Sequence, residues 1–224
     1  MASGGVRKVH GSLDCPNTLK VLACIFEHGL DFEFIPIDLK DGEHERQPFL
    51  SLNPFGQVPV LEDGGYKQFE SRAIIRCMGH EFSRNVKEEL IYWDVRKQAI
   101  VANWVDVEDH QFEPPALELI NELALKPENG LKPDEIAVTK AEAKLADVLD
   151  IYDARLGMFK YLASDRFTIA DLLHLPNLHS LLGITQGAKL IESRPRVRAW
   201  CSEILARPSW MKVLEMKNKA ALLT

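Results

Sequence analysis

The spacing of apolar residues changes along the chain, and it predicts two kinds of secondary structure. In roughly the first 80 residues, short β-rich runs alternate with helical patterns. A strand over residues 7–10 is followed by a helix that starts at Pro16, continues on apolar residues at helical spacing and stops at Gly29. A second strand follows over residues 32–37. This order predicts a β-α-β unit.

The next segment predicts two strands and a helix. A strand over residues 58–61 contains Pro59, and a proline places such a strand at a sheet edge or in an irregular position. Asp63-Gly64-Gly65 predicts a hairpin turn into a strand over residues 66–69. Ser71 can cap the helix that follows. The order here is β-β-α.

Beyond about residue 87 the pattern is helical throughout. Apolar residues at helical spacing mark an amphipathic helix after Pro133. A second helix begins at Thr168, whose spacing from Asp171 is typical of a capping box, and Pro176 counts against one long straight helix there. The sequence therefore predicts an α/β domain over residues 1–83, a linker over residues 84–87 and an all-helical domain over residues 88–224.

Composition and charge narrow the classes of partner. The chain has 224 residues, of which 46% are hydrophobic and 27% charged, as in ordinary globular proteins. The formal net charge is -6 and the basic residues are scattered, which gives no footprint for nucleic acid or an anionic membrane. Neither the apolar core of a secretory signal nor a run of about 18 apolar residues is present. We expect a cytoplasmic protein with no nucleic-acid or membrane partner.

The four cysteines lie far apart in the sequence, at positions 15, 24, 77 and 201. They form no CxxC pair, and no histidine stands near them at metal-ligand spacing. The thiols are therefore predicted to be reduced, and no metal site is expected.

Cys15 is the candidate for chemistry because it directly precedes Pro16, at the predicted start of a helix. The N–H groups and the dipole of a helix N-terminus favour a thiolate, although the carboxylate of Asp14 opposes this if it lies close. Cys24 is nine residues further on, on the opposite face of the helix, and cannot serve as a resolving partner. Without further context, a cysteine in this position is more often a small semi-buried residue than a catalytic one.

Three other places have both a functional and an ordinary interpretation. Val58–Pro59 is a candidate cis peptide bond, although most X-Pro bonds are trans. Glu70 and Ser71 at a strand-to-helix junction could hold an ammonium and an anionic group, or Ser71 could be a plain N-cap. His44 is either a ligand contact or a solvated loop histidine.

Taken together, these features resemble the glutathione transferases, and most closely the plant phi class. The residues that carry the resemblance are KVHG (8–11), IDL (37–39), GEH (42–44), FLSLNPFGQVPVLED (49–63), FESRAI (69–74), VANW (101–104), HQFEPP (110–115) and FTIADL (167–172). The resemblance covers nearly the whole chain. It implies the glutathione transferase fold, in which an α/β thioredoxin-like N-terminal domain precedes an all-α C-terminal domain.

The resemblance also implies glutathione as co-substrate, with no tightly bound cofactor. It places Gln57 and Val58 near the cysteinyl backbone of the tripeptide, Pro59 in cis, Glu70 and Ser71 at the γ-glutamyl end and His44 near the glycine carboxylate. The hydrophobic co-substrate would lie between the domains, against Leu13 and Phe112. Phe55 resembles the aromatic residue that many cytosolic members insert into the neighbouring subunit, which implies a homodimer.

Two positions depart from the phi pattern. Cys15 stands where the catalytic serine is usual, and Glu45 stands where a lysine usually follows the histidine, so binding of the glycine carboxylate is expected to weaken. A serine hydroxyl stabilises the glutathione thiolate by hydrogen bonding, whereas a thiol can attack and form a mixed disulfide. The sequence predicts a transferase that conjugates hydrophobic electrophiles, deglutathionylates thiols through Cys15, or does both.

Two other functions use the same fold. The first is a carrier that binds hydrophobic ligands with little or no turnover, which the replaced serine favours. The second is an interaction domain without a tripeptide site. The presence of His44, Gln57, Glu70 and Ser71 favours intact glutathione binding over an interaction domain.

Overall fold

The computed structural model describes residues 6–82 and 89–222. The chain divides into two compact units, and the last helix, Pro208–Ala221, belongs to the first of them. We call the unit that contains the residues up to Glu89 together with this last helix the first unit. We call the other unit, Leu90–Arg207, the helical unit. None of the helices in the described residues combines the length and the apolar composition that a bilayer span requires.

The first unit is built on a four-stranded mixed sheet. Its elements are β1 (Arg7–Gly11), α1 (Pro16–Glu27), β2 (Phe32–Pro36), β3 (Val60–Asp63), β4 (Tyr66–Phe69) and α2 (Ser71–Phe82), with short 3₁₀ turns at Glu43–Glu45 and Phe49–Ser51. The strand order is β2-β1-β3-β4. β1 pairs parallel to β2 and antiparallel to β3, which pairs antiparallel to β4. The predicted β-α-β and β-β-α order is confirmed.

The core of this unit forms from the inward-facing residues of the two central strands and of the helices α1 and α2. Its fully buried members include Val9, Val21, Leu22, Ile25, Val60, Ile74 and Ile75. Burial runs without a break from Thr18 to Ile25 on α1, and Val60 and Leu61 are both buried on β3, so these two elements are covered on more than one face.

The C-terminus of α1 is fixed by Gly29, as predicted. Gly29 has a φ of 62°, in the left-handed region that glycine adopts without steric cost. The N–H of Leu30 donates to the carbonyl of Ile25 at 3.1 Å, and the N–H of Gly29 donates to that of Phe26 at 3.3 Å. These two bonds form the Schellman arrangement that satisfies the last carbonyls of a helix.

One strand prediction was wrong in its placement. Pro59 led us to expect an edge or irregular strand, but β3 begins only at Val60 and lies inside the sheet, between β1 and β4. Because Pro59 precedes the first paired residue, it removes no donor from the ladder. The predicted hairpin is present, with Asp63 opposite Tyr66 across a two-residue glycine turn.

The helical unit contains eight labelled helices in its described residues. They are α3 (Val95–Val107), α4 (Glu113–Ile120), α5 (Lys126–Glu128), α6 (Glu135–Leu156), α7 (Ile169–Leu172), α8 (Leu175–Leu182), α9 (Thr185–Glu192) and α10 (Pro195–Leu205). Two π-helical turns, Glu108–Phe112 and Asn121–Leu125, join α3 to α4 and α4 to α5. Each is followed within two residues by a proline, which lacks the N–H that would continue the α-helical bonding.

The predicted capping box at the start of α7 is confirmed. The backbone N–H of Thr168 donates to the Asp171 carboxylate at 3.0 Å, and the side chain of Thr168 receives the reciprocal bond. The same carboxylate accepts from the N–H of Leu162 and from the indole N–H of Trp200, both at 3.0 Å. Pro176 opens α8, so this segment is two short helices and not one long one.

The last helix, α11 (Pro208–Ala221), belongs to the first unit, whereas the predicted domain division places it in the helical domain. Trp210 and Val213 are buried, and the hydroxyl of Ser209 bonds to the carboxylate of Glu27 on α1. Packing against α1 therefore decides the assignment of α11 to the first unit. The predicted linker over residues 84–87 lies outside the described residues.

Candidate active site

Cys15 is the N-cap residue of α1. Its backbone is extended, with φ -90° and ψ 118°, and Pro16 follows as the first helical residue, where a missing N–H costs nothing. The thiol makes no capping hydrogen bond and instead lies 3.8 Å from the carbonyl oxygen of Val58. It is partly buried against an apolar cluster that includes Ile37 and Phe49. The local sequence thus presents one thiol at a helix N-terminus, as predicted.

A polar hollow lies beside this thiol within the first unit. It is lined by Asn17, Asn53, Gln57, Val58, Pro59, Glu70 and Ser71. Five of these residues are ones that the family resemblance assigned to glutathione. The fold therefore brings together parts of α1, the turn before β3 and the junction between β4 and α2.

The segment before β3 is held by Asn53. Its side-chain amide donates to the carbonyl of Gln57 at 2.7 Å, and its carbonyl oxygen accepts from the N–H of Phe55 at 3.0 Å. The Val58–Pro59 peptide bond is cis, as the resemblance implied, and Gln47–Pro48 is a second cis bond that was not predicted. Asn53 is buried and closes the turn that presents Gln57 and Val58.

The junction between β4 and α2 contains a strained residue. Glu70 has a φ of 68°, a conformation that non-glycine residues seldom adopt and that clusters at functional sites. α2 begins at Ser71 itself, and the Ser71 hydroxyl donates to the side-chain oxygen of Asn17 at 3.3 Å, so Ser71 links two helices and is not a plain N-cap. Sequence reasoning missed Asn17, whose signal was its position two residues after Cys15.

His44 and Glu45 lie in the first 3₁₀ turn and do not line this hollow. The backbone carbonyl of His44 faces Gly56, where a β-carbon would come within 3.0 Å of it, so the two turns approach closely. The Glu45 carboxylate is 75% exposed and lies 3.7 Å from His44 Nε2. A carboxylate therefore stands at the position where the resemblance implied a lysine.

Leu13 and Phe112, the residues proposed for the hydrophobic co-substrate, have different surroundings. Leu13 is partly buried, next to Cys15. Phe112 is fully buried in the helical unit, 4.6 Å from the ring of His174 and stacked at 6.0 Å on Tyr152. An aromatic ring without exposed surface serves packing, which counts against a direct contact of Phe112 with substrate.

Of the other three cysteines, two are buried and one is partly exposed. Cys24 and Cys201 are buried, and burial raises the pKa of each thiol far above its ordinary value. Cys77 is partly exposed and lies on α2. In the described part of the chain, no group of three His, Cys, Asp or Glu side chains could hold a metal ion.

The first unit combines the sheet order β2-β1-β3-β4, a cis-proline ahead of an internal strand and a cysteine at the N-terminus of the helix after β1. These features define a thioredoxin-like domain. The family description "Glutathione S-transferase, N-terminal domain" matches residues 6–77, and "Glutathione S-transferase, C-terminal domain" matches residues 111–208. The chain belongs to the glutathione S-transferase family.

The relatives agree with this assignment. The chain is 49% identical over 212 residues to glutathione S-transferase PARB of Nicotiana tabacum, which covers 95% of this chain and 99% of the relative. Among solved structures, a serine-to-cysteine mutant of poplar glutathione transferase F1 matches with a TM-score of 0.91 and 37% identity, covering 96% and 100% of the two chains. Glutathione S-transferase I from maize, in complex with an atrazine glutathione conjugate, matches with a TM-score of 0.87 and 33% identity, covering 96% and 99%.

These relatives are plant phi-class enzymes, as the sequence motifs had indicated. The protein is a glutathione transferase, with the α/β and all-helical halves of that fold. Glutathione is its co-substrate, and the family needs no tightly bound cofactor.

Proposed function

We propose that glutathione binds in the hollow lined by Gln57, Val58, Glu70 and Ser71, with its sulfur at Cys15, and that the enzyme transfers glutathionyl groups through this thiol. The observation that carries the proposal is the convergence of these residues beside a cysteine thiol 3.8 Å from the Val58 carbonyl.

Each end of the tripeptide meets a complementary group. The exposed Glu70 carboxylate suits the γ-glutamyl ammonium, and the N–H groups at the start of α2, where Ser71 stands, suit the γ-glutamyl carboxylate. The backbone of Val58 pairs with the extended cysteinyl residue in the manner of an added strand. His44 receives the glycine carboxylate, with Glu45 weakening this contact.

The reaction of Cys15 is thiol–disulfide exchange. The Cys15 thiolate attacks the glutathionyl sulfur of a mixed disulfide, and a Cys15–glutathione disulfide forms as the substrate thiolate leaves. The thiolate of a second glutathione then attacks the glutathione sulfur of this intermediate, which releases glutathione disulfide and restores Cys15. Cys24 and Cys201 are buried and cannot replace the second glutathione.

Conjugation of glutathione to a hydrophobic electrophile is the second activity of the site. The maize relative with an atrazine glutathione conjugate supports it, because that fold matches this chain over 96% of its length. In conjugation, Cys15 would stabilise the glutathione thiolate by a hydrogen bond and would not itself react. The poplar mutant supports the compatibility of the scaffold with an introduced cysteine.

We also propose a homodimer in the cytoplasm. The side chain of Phe55 is 70% exposed, beside the turn that Asn53 closes, and its ring lies 6.1 Å from that of Phe69. A large exposed aromatic residue on a rigid turn suits insertion into a second copy. Four free cysteines agree with a reducing compartment.

The experiment that tests the catalytic proposal compares the wild type with Cys15→Ser in two assays. One assay measures glutathione-dependent reduction of a small mixed disulfide, and the other measures conjugation of a chloronitrobenzene-type electrophile. We expect Cys15→Ser to lose disulfide reduction and to gain conjugation. Disulfide reduction that persists in Cys15→Ser would refute the nucleophilic role of Cys15, and a wild type that only conjugates would make Cys15 a thiolate stabiliser.

A further inference from the structure

A lysine of the last helix is bonded to the turn that carries Cys15. The ammonium group of Lys217 on α11 donates to the backbone carbonyl of Leu13 and to the carboxylate of Asp14, each at 3.0 Å. Both partners and α11 belong to the first unit. The contact therefore joins residues 203 and 204 positions apart in the sequence.

The turn between β1 and α1 is closed by short local bonds. The N–H of Cys15 donates to the carbonyl of Ser12 at 3.1 Å, and the N–H of Asp14 lies 3.3 Å from the Ser12 hydroxyl. These bonds hold the backbone of the turn, but they do not involve the carboxylate of Asp14 or the backbone carbonyl of Leu13. Lys217 supplies both a bond to the Leu13 carbonyl and a positive charge beside Asp14.

The charge matters because Asp14 directly precedes the reactive thiol. A carboxylate close to a thiolate raises the free energy of the charged form, and a cation lowers it. The Cys15 thiol itself faces the Val58 carbonyl and apolar side chains, Glu70 lines the adjacent hollow, and Asp14 and Lys217 are the charged pair on the turn. The side chains of Asp14 and Lys217 are 77% and 40% exposed, so the pair contributes little to the stability of the fold.

We propose that Lys217 is a positioning residue for the thiol step: it holds the Leu13–Asp14 backbone and offsets the Asp14 carboxylate, which keeps the thiolate at the N-terminus of α1 reactive. The inference rests on the proposed role of Cys15. It assigns to the C-terminal helix a part in catalysis that does not require Lys217 to touch substrate.

The test follows the alkylation of Cys15 by iodoacetamide at neutral pH, read by peptide mass spectrometry. A Cys77→Ser background removes the other partly exposed thiol. The variants are Lys217→Met, Lys217→Arg, Asp14→Asn and the double variant Lys217→Met with Asp14→Asn. Lys219→Met is the matched control, because Lys219 lies on the same helix and pairs with Glu215 at 2.7 Å.

We expect Lys217→Met to slow alkylation about threefold, the effect of one charge at several ångströms in water-like surroundings. Lys217→Arg should keep the wild-type rate, Asp14→Asn should raise it, and the double variant should return to near the wild-type rate. Lys219→Met should change nothing. The same order should appear in kcat for disulfide reduction, with KM for glutathione nearly constant.

Three outcomes would overturn the inference: an unchanged rate in Lys217→Met, an equal loss in Lys219→Met, or no recovery when Asp14→Asn is added. The last would mean that Lys217 serves the stability of α11 only. If Lys217→Met does not fold, the other two single variants decide the matter: Asp14→Asn should raise the alkylation rate, and Lys217→Arg should leave it at the wild-type value. Disulfide reduction that persists in Cys15→Ser would refute the proposed exchange reaction. The alkylation rate measures the effect of Lys217 on the thiol independently of turnover.

Discussion

The thiol of Cys15 lies 3.8 Å from the carbonyl oxygen of Val58, the residue that precedes the cis bond to Pro59. The two residues are 43 positions apart, and their approach sets a thiol beside the backbone with which we propose that the extended tripeptide pairs. A ligand that adds to this backbone would bring its central side chain to the thiol. A thiol-containing tripeptide such as glutathione satisfies this geometry.

We predict that Glu45→Lys lowers KM for glutathione by about three- to tenfold, because it replaces a negative with a positive charge near the expected glycine carboxylate. The effect should shrink as salt concentration rises. Glu33→Lys is the matched control, since Glu33 is also an exposed carboxylate of the first unit and the substitution changes the net charge equally. Initial rates at varied glutathione concentration measure both, and an equal response of the two variants would contradict the role of Glu45.

We predict that Glu70→Asn raises KM for glutathione by about tenfold without a comparable loss of stability. Asparagine adopts the left-handed backbone conformation more readily than most residues, so it preserves the φ of 68° while removing the carboxylate. Glutathione titration followed by tryptophan fluorescence measures the affinity, and thermal unfolding checks the fold. An unchanged affinity in a folded variant would remove Glu70 from the γ-glutamyl site.

We predict that Phe55→Ala converts a dimer into a monomer or weakens it strongly, because the side chain is 70% exposed and offers a large apolar surface. Tyr66→Ala is the control, since Tyr66 is an exposed aromatic residue of the same unit. Sedimentation velocity over a range of concentrations gives the oligomeric state. A wild-type monomer, or a dimer that Phe55→Ala leaves intact, would contradict the insertion of Phe55 into a second copy.

We predict that the contribution of Asp171 to the free energy of unfolding falls as the pH rises from about 4 to about 6. Burial raises the pKa of this carboxyl from 3.8 to about 6, against the opposing effect of its hydrogen bonds from Leu162, Thr168 and Trp200. A raised folded-state pKa gives a contribution that is complete below the unfolded pKa and is lost as pH rises through the folded value. In urea unfolding at several pH values, the free energy of unfolding of the wild type should therefore fall relative to that of Asp171→Asn as the pH rises from about 4 to about 6.

Asp147→Asn is the control for that measurement, because Asp147 is an exposed carboxylate of the same unit. It should leave the pH dependence of the free energy of unfolding unchanged. If Asp171→Asn shows the same slope as the wild type, the hydrogen bonds of the Asp171 carboxylate offset its burial and the prediction is contradicted.

Local features were predictable because they depend on neighbours in the sequence. Pro16 and Gly29 mark the ends of α1, Thr168 and Asp171 form a capping box, and Gly64 and Gly65 turn the hairpin. In each case the backbone preference of one or two residues decides the structure. Pro59 was misread because a proline before the first ladder residue costs the strand nothing.

The contacts that build the site could not be predicted in this way. Asn17 meets Ser71, and Cys15 meets Val58, only because the sheet order places β3 next to β1. The sequence placed Glu70 at a strand-to-helix junction, but no local pattern indicated its left-handed backbone.

The sequence by itself determined the alternation of strands and helices in the first unit, the helical second half and the single thiol at the start of α1. Periodicity and backbone preference depend on residues close together in the sequence, so they can be predicted from the sequence alone. Only the tertiary structure decided that α11 packs on α1 and that Lys217 bonds to Leu13 and Asp14. Contacts between residues some 200 positions apart depend on how apolar surfaces pack, and no local pattern encodes that choice.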